Sequence, residues 1–324
     1  MQVSFIIPLY NCLPLTQAML ASLRATVPAG LAHEIIFVDD GSTDGTREWL
    51  KSVGPALVAG PVLSHNPGRP ASGSSTILSL LNEKNLGFAG TCNRGAATAQ
   101  GEILFFLNND LILLPGWFEP MRAALARFPR AGLVGNVQLN HATGAVDHTR
   151  IIFNCKGKPE HDTSRGPGLP FYRAVAALTG ACFGIRRAIW QKLGGFDEAF
   201  VNGCEDVDLC FRARQQGLVN YVARHSVVRH HISASANRKL RDEQNTARLV
   251  RRWRHAIARL SARAWCRHHL ALHEEDPRDY PDLALARDCF LFRARLLPRP
   301  TARILLGVHL AIEAEIERWK TLPA

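Results

Sequence analysis

Nothing in the 324-residue chain approaches ~18 uninterrupted apolar residues, so no transmembrane helix is expected. No C-x-x-C pair occurs. The eight cysteines stand at 12, 92, 155, 182, 204, 210, 266 and 289, a scatter that argues against a zinc site or a dithiol redox motif. No basic segment precedes an apolar one at the start, where Met1-Gln2 leads directly into a strand-like stretch; a signal peptide is therefore not expected. Scattered cysteines without a leader fit a reducing cytoplasm. There is no internal repeat, and no Ser-His-Asp or Cys-His spacing of the kind that activates a side-chain nucleophile.

What is present suits a large α/β domain with an appendage. The chain is long enough for either that or two domains, and at 47% hydrophobic it can bury a substantial core. The formal charge of +11 is concentrated. Residues 238–267 hold ten Lys and Arg against Asp242 and Glu243, a net of +8. Such a segment suits an anionic surface or acidic partner, and equally a solvated helix face.

Residues 3–8 read as a short strand ending at Pro8, which cannot donate to a ladder. A loop through Asn11 follows, and then helical spacing from 15 to 27. Residues 34–38 form a second strand that ends in Asp39-Asp40-Gly41-Ser42-Thr43-Asp44, an acidic turn able to cap the next helix. A carboxylate there can accept from a ribose or a base N–H. Residues 54–76 are rich in Gly, Pro and Ser and read as a poorly ordered insertion. A third strand is expected at 77–81. Asn85-Leu86-Gly87-Phe88-Ala89-Gly90 then opens a helix containing Asn93, and glycines at a helix entry permit close approach of a phosphate. The spacing is not the G-x-G-x-x-G dinucleotide pattern.

The organising stretch is 101–114. A buried parallel strand reads as a continuous apolar run, and this one stops at Asn108-Asn109-Asp110. Two readings of that stop remain open: an Asx turn, or a carboxylate placed beyond a strand end, where α/β sheets bind ligands and where a divalent metal can be held. A helix at 116–128, a strand at 131–139 and a possible hairpin strand at 150–153, preceded by Asp147-His148, come next. Residues 179–185 form a small-residue strand in which Gly180 allows close contact with a ligand. A second acidic cluster, Glu205-Asp206-Val207-Asp208, occupies the first turn of a helix running to Gln216, where the dipole favours acids; in a functional reading, Glu205 or Asp206 is a catalytic base. Residues 219–229 form a strand leading to His230-His231. From 237 onward the chain is Arg-rich and helical, with a break at Pro298–Pro300.

Taken together, SFIIPLYN at 4–11, VDDGSTDGT at 38–46, NLGFAGTCNRG at 85–95, LNND at 107–110, TGACFGIRR at 179–187, GGFDE at 194–198, EDVDL at 205–209 and HHISAS at 230–235 resemble the inverting family 2 glycosyltransferases, in the right order across residues 3–236. Bacterial transferases of surface polysaccharide assembly are the most similar subgroup.

The resemblance implies an A-type glycosyltransferase fold: a Rossmann-like, mostly parallel sheet flanked by helices over residues 1–236, with a basic helical extension at 237–324. It implies that Pro8, Asn11, Asp39, Asp40, Asn85, Gly87, Asn93 and Asn109 bind the donor nucleotide. Asp110 and His230 (or His231, one register on) would hold Mg2+ or Mn2+. Asp206 would be the base with Glu205 beside it, and Gly180 and Asp208 would meet the acceptor.

The implied reaction moves a sugar from a UDP- or dTDP-linked donor to a saccharide or lipid-linked hydroxyl, with inversion. It is expected in the cytoplasm, with the basic helices resting on an anionic membrane face. Nucleic acid is not an expected partner, since no binding module accompanies the positive charge. A nucleotidyltransferase and a catalytically inactive sugar-nucleotide-binding relative are the alternatives.

Overall fold

The strands from the two apolar runs at 3–9 and 103–107 lie side by side, and the amino-terminal part of the chain is arranged about them. A computed structural model describes residues 2–54, 56–58, 75–164, 166–231 and 242–321. Residues 59–74 of the expected insertion and 232–235 of the histidine motif lie outside the described residues.

The first half comprises β1 (Val3–Leu9), α1 (Leu13–Thr26), β2 (His33–Asp39), α2 (Thr46–Val53), β3 (Ala56–Val58), β4 (Ser75–Leu81), α3 (Gly87–Thr98) and β5 (Ile103–Leu107). The short β3 falls where the sequence suggests only loop. The spatial order is β3-β4-β2-β1-β5, and every pair in it is parallel. The chain builds outward on one side of β1 and then returns to its other side. The topological switch point therefore falls between β1 and β5, the crevice where open α/β sheets take ligands.

Phe5, Phe37 and Phe105 are fully buried in the core, and Phe5 also contacts Trp117 and Phe118. Gly95 inside α3 runs against helix propensity. The reason is contact with the sheet: a Cβ there would lie 2.6 Å from Ile6 Cγ2 and 2.9 Å from Val38 Cγ2.

The chain continues through β6 (Leu111–Leu113), α4 (Phe118–Arg127), β7 (Ala131–Asn140), β8 (Val146–His148), the hairpin β9 (Ile151–Phe153) and β10 (Pro159–His161), β11 (Tyr172–Val175), β12 (Cys182–Arg186), α5 (Arg187–Leu193), α6 (Glu205–Gln215) and β13 (Val219–His230). β12 enters the sheet between β5 and β7, antiparallel to both. β13 runs parallel to β7 and antiparallel to β6 and β11.

A second unit comprises residues 151–161 with the chain from 241 onward. The sequence reading leaves the hairpin in the amino-terminal domain; by packing it groups with the helices α7 (Asp242–Glu275), α8 (Leu283–Arg293) and α9 (Ala302–Lys320). Helix α7 bends at Trp253, whose φ of −114° and ψ of 20° are non-helical. Within this unit, Ile257 and Ile312 press on Gly157 of the hairpin turn, and Lys156 and Lys158 reach the buried Glu315 at 3.0 and 3.6 Å. Among the described residues no helix is long and apolar enough to cross a membrane.

Candidate active site

At the end of β1 the chain turns through Asn11 and Cys12, both left-handed, with φ of 58° and 62°. Short polar side chains tolerate that region, and Asn11 uses it to tie three strand ends together. Its N–H donates to Ser42 Oγ at 2.7 Å, its Oδ1 accepts from Thr43 N at 2.8 Å, and its carbonyl accepts from Asn109 Nδ2 at 3.2 Å. Asn109 also donates to Thr16 Oγ1 at 2.9 Å. Pro8 sits one residue inside the end of β1, half-buried and in register with Val38.

The two acids after β2 divide the work. Asp39 is fully buried and is spent on its own turn: it accepts from Gly41 N at 3.2 Å, from Ser42 N at 3.3 Å and from Arg47 Nε at 2.7 Å. Asp40 Oδ1 accepts from Asn82 Nδ2 and Leu86 N, each at 2.7 Å, and Oδ2 accepts from Gly87 N at 3.0 Å. Burial raises the Asp40 carboxyl above its ordinary pKa, against the lowering effect of those donors.

Asn85 and Gly87 complete that corner: Asn85 Oδ1 also accepts from Gly87 N, and Gly87 adopts φ of 75°. The Asn93 amide clasps the loop after α5, donating to Phe196 O at 3.0 Å and Glu198 Oε1 at 2.8 Å while accepting from Phe196 N at 2.9 Å, so both of its N–H groups are committed to that loop.

Asp110 and His230 are brought together from opposite halves of the chain. β13 pairs with β6 so that His230 lies opposite Leu111, and His230 Nε2 stands 3.2 Å from Asp110 Oδ1. The imidazole is 3% exposed. Its burial lowers the pKa, but Asp110 and Asp147 outweigh that effect and bring it up to about 9. Asp110 Oδ1, both His230 ring nitrogens and Asn108 Oδ1 are buried without a well-aligned hydrogen bond. Buried polar atoms are normally satisfied, so this corner suits a cation, and a carboxylate with an imidazole is a donor set that Mn2+ accepts. Among the described residues no three His, Cys, Asp or Glu side chains surround one point, so phosphate and water would have to complete the shell. His231 stacks on His141 with ring centroids 3.7 Å apart, and its backbone N–H donates to Asp110 O.

Asp206 lies at the amino-terminal turn of α6, half-buried, with Oδ2 accepting from Gly180 N at 2.6 Å and Oδ1 from Val207 N at 2.7 Å. Gly180 is thus against the acid, and a Cβ on it would stand 3.3 Å from Asp206 Cβ. The next residue, Ala181, accepts from Asn108 N at 2.9 Å. One inter-strand bond therefore links the segment carrying Asp110 to the segment that holds Asp206.

Glu205 is buried and closes the preceding loop by accepting from Gly203 N at 2.7 Å. Asp208, expected at the acceptor, is fully buried and paired with Arg212 at 2.7 Å, one helical turn on.

Several participants escaped the sequence reading. Arg47 and Asn82 hold the acidic turn, Asn202 Oδ1 accepts from Phe88 N at 3.0 Å, and Asp147 faces His230. Tyr10 is half exposed at the end of β1. For Tyr10, Arg47 and Asn82 the only advance signal was position, just beyond a strand end or a glycine turn; Asn202 and Asp147 gave none.

The comparisons agree with this fold. The structure of GalNAc-T7 with UDP, GalNAc and Mn2+ superposes with a TM-score of 0.60 at 16% identity, over 90% of this chain and 55% of that one. The fold is thus that of the A-type glycosyltransferases. The chain belongs to glycosyl transferase family 2, whose profile matches residues 4–194. The O-antigen biosynthesis protein RfbC of Myxococcus xanthus is 34% identical over 153 residues, 44% of this chain and 12% of that protein. The N-acetylglucosaminyl-diphospho-decaprenol L-rhamnosyltransferase of Mycobacterium tuberculosis is 25% identical over 255 residues, 71% of this chain and 76% of that protein. Against the first curated relatives it matches, the chain spans between 12% and 32% of their length.

Proposed function

We propose that this chain transfers a hexosyl or deoxyhexosyl unit from a UDP- or dTDP-linked donor to a hydroxyl of a saccharide or lipid-linked acceptor, with inversion, in bacterial surface polysaccharide synthesis. One observation carries the reading. A half-buried carboxylate, Asp206, and a carboxylate–imidazole pair, Asp110 with His230, are anchored to the two sides of one bond, Asn108 N to Ala181 O, beside the switch point. The names of the rhamnosyltransferase and RfbC relatives support the acceptor class and the setting.

In this reading the donor base and ribose lie along Pro8, Tyr10 and Asn11, beside the corner that Asp40 holds. The glycine turn at 85–87 and Asn109 line the ribose and diphosphate. Asp206 accepts the proton of the attacking hydroxyl while Gly180 N–H keeps the carboxylate oriented, a role that typically contributes about 10²–10⁴-fold in rate. Attack opposite the leaving group inverts the anomeric carbon without a side-chain nucleophile. Asp110 and His230 would hold Mg2+ or Mn2+, which when bound offsets the charge developing on the diphosphate.

The carboxy-terminal unit supports contact with an anionic membrane, through a surface other than the 238–267 segment. Leu283, Phe290, Leu296, Leu306 and Leu310 are exposed, as are Arg287, Arg293, Arg295, Arg299 and Arg303, while Asp288, the lone acid from 283 to 310, is buried. Apolar and basic exposure together suit a lipid interface.

The direct test is nucleoside diphosphate release across a panel of UDP- and dTDP-sugars with saccharide and polyprenyl-diphosphate acceptors, followed by proton NMR of the new anomeric centre. Retention of configuration would refute the mechanism. Flotation with phosphatidylglycerol vesicles, expected for the parent chain and lost in Phe290→Ser/Leu306→Ser, tests the membrane face; equal flotation on phosphatidylcholine would refute the charge argument.

A further inference from the structure

We propose that Asp147 is the positioning residue of the Asp110–His230 pair: its carboxylate takes the Nδ1–H of His230, so that Nε2 presents its lone pair beside Asp110 to a divalent cation. This rests on the metal-binding reading given above.

Three observations lead there. First, the His230 ring is nearly inaccessible, with one nitrogen toward each carboxylate: Nε2 is 3.2 Å from Asp110 Oδ1 and Nδ1 is 3.8 Å from Asp147 Oδ2. The two ring nitrogens are distinct, and whichever acceptor faces one of them decides which is left to bind a metal. A ligating histidine commonly donates its other N–H to a carboxylate, and loss of such a partner typically weakens metal affinity about 10–100-fold.

Second, Asp147 occupies an irregular position in its strand. β8 pairs with β7 through Gln138–His148 and then Leu139–Val146, so one step on β7 spans two on β8 and Asp147 is the extra residue. A bulge re-aims a side chain that strict alternation would send elsewhere, and bulges concentrate next to active sites. Third, the neighbouring residue fixes the strand at this height: His148 is buried and its Nε2 accepts from Thr179 N at 3.2 Å, one residue before the glycine that holds Asp206. The bulge therefore points Asp147 at the imidazole from a strand tied to the base-bearing segment.

Orientation by hydrogen bonding and simple charge compensation make different forecasts. An asparagine at 147 keeps an oxygen that accepts from Nδ1–H but loses the charge, whereas alanine loses both. Mn2+ alone is titrated into the full-length protein and free Mn2+ is followed by electron paramagnetic resonance, for the parent, Asp147→Asn and Asp147→Ala. The expected result is a 10–100-fold weaker Kd for Asp147→Ala, with Asp147→Asn within about threefold of the parent. Parent-like affinity in Asp147→Ala would overturn the proposal. So would an Asp147→Asn as weak as alanine, which would assign the effect to charge.

A second readout needs no metal. The imidazole N–H protons of the metal-free protein are recorded by NMR, and a protected Nδ1–H resonance of His230 is expected in the parent and Asp147→Asn but not in Asp147→Ala. Its persistence in Asp147→Ala would overturn the contact. A parent protein that binds no Mn2+ would remove the metal-binding reading, and the N–H resonance would then report on the Asp147–His230 contact independently.

Discussion

Replacing Asp206 by asparagine separates catalysis from donor binding. The carboxylate faces two backbone donors, Gly180 N at 2.6 Å and Val207 N at 2.7 Å, one on each oxygen. Asparagine keeps one oxygen, so one donor meets an NH₂ group and loses its bond. A hydrogen bond to a charged group contributes about 1.5–3 kcal/mol; half-exposure of this site reduces the cost, and a stability loss of about 1–2 kcal/mol follows. The chemical step loses more. Removal of a general base typically costs about 10²–10⁴-fold, which is about 2.7–5.4 kcal/mol in the barrier. The amide cannot accept the acceptor proton, whereas none of the proposed donor contacts is touched. In a nucleoside diphosphate release assay, kcat should fall by at least about a hundredfold, while the Kd for the nucleoside diphosphate by calorimetry stays within about threefold. Gly180→Ala is the companion variant. Its Cβ would stand 3.3 Å from Asp206 Cβ and 3.4 Å from Phe88 Cε1, displacing the base without removing it, so an intermediate loss is expected. A kcat reduced less than about tenfold in Asp206→Asn, or donor affinity lost in proportion, would refute the assignment.

Two further outcomes test the surrounding structure. Asp40→Ala strands Leu86 N at the start of α3 and takes one of two acceptors from Asn82 Nδ2 and from Gly87 N, and urea denaturation should show a loss of about 1–3 kcal/mol; an unchanged midpoint would mean that this corner is not held as described. Glu315 gives the carboxy-terminal unit a pH dependence. Burial raises its pKa, but Lys156, Arg318 and Lys158 bring it down to about 2 from the model-compound value of 4.5. A lowered carboxyl contributes stability that is full above the unfolded pKa and is lost as pH falls toward the folded one. The unit should therefore weaken between about pH 4.5 and 2, by on the order of 1–3 kcal/mol. Glu315→Gln should flatten that part of the urea-midpoint profile, and an unaltered slope would show that other carboxyls carry it.

In the amino-terminal half of the fold β1, β2 and β5 were legible because each is buried almost throughout and reads as an apolar run. Ile103–Leu107 is buried throughout, and the expected end at 107 is where it stops. The helical periodicities of the carboxy-terminal segment were equally visible. Grouping of the hairpin 151–161 with those helices was not, because it follows from packing across the chain, such as Ile257 and Ile312 on Gly157. Nor did the pattern show β12 running antiparallel between β5 and β7; alternation and apolar content carry no direction.

The site was legible by residue type and less so by role. Asp39, Asp40, Asp206 and Asp208 are equivalent as letters beside glycine turns. What separates them is which backbone N–H groups and guanidinium groups arrive from elsewhere. Arg47 takes Asp39 and Arg212 takes Asp208, and both acids disappear into the interior, whereas Asp206 keeps a half-exposed carboxylate oriented by a glycine. The 96-residue separation of Asp110 from Asp206 closes for a reason of register alone. Cys182 pairs with Leu107, so residues just beyond β5 and just before β12 must meet, and Gly180, whose N–H donates to Asp206, comes beside the segment that runs on to Asp110. Substitutions that shift that register should therefore impair catalysis and metal binding together, even with every site residue retained.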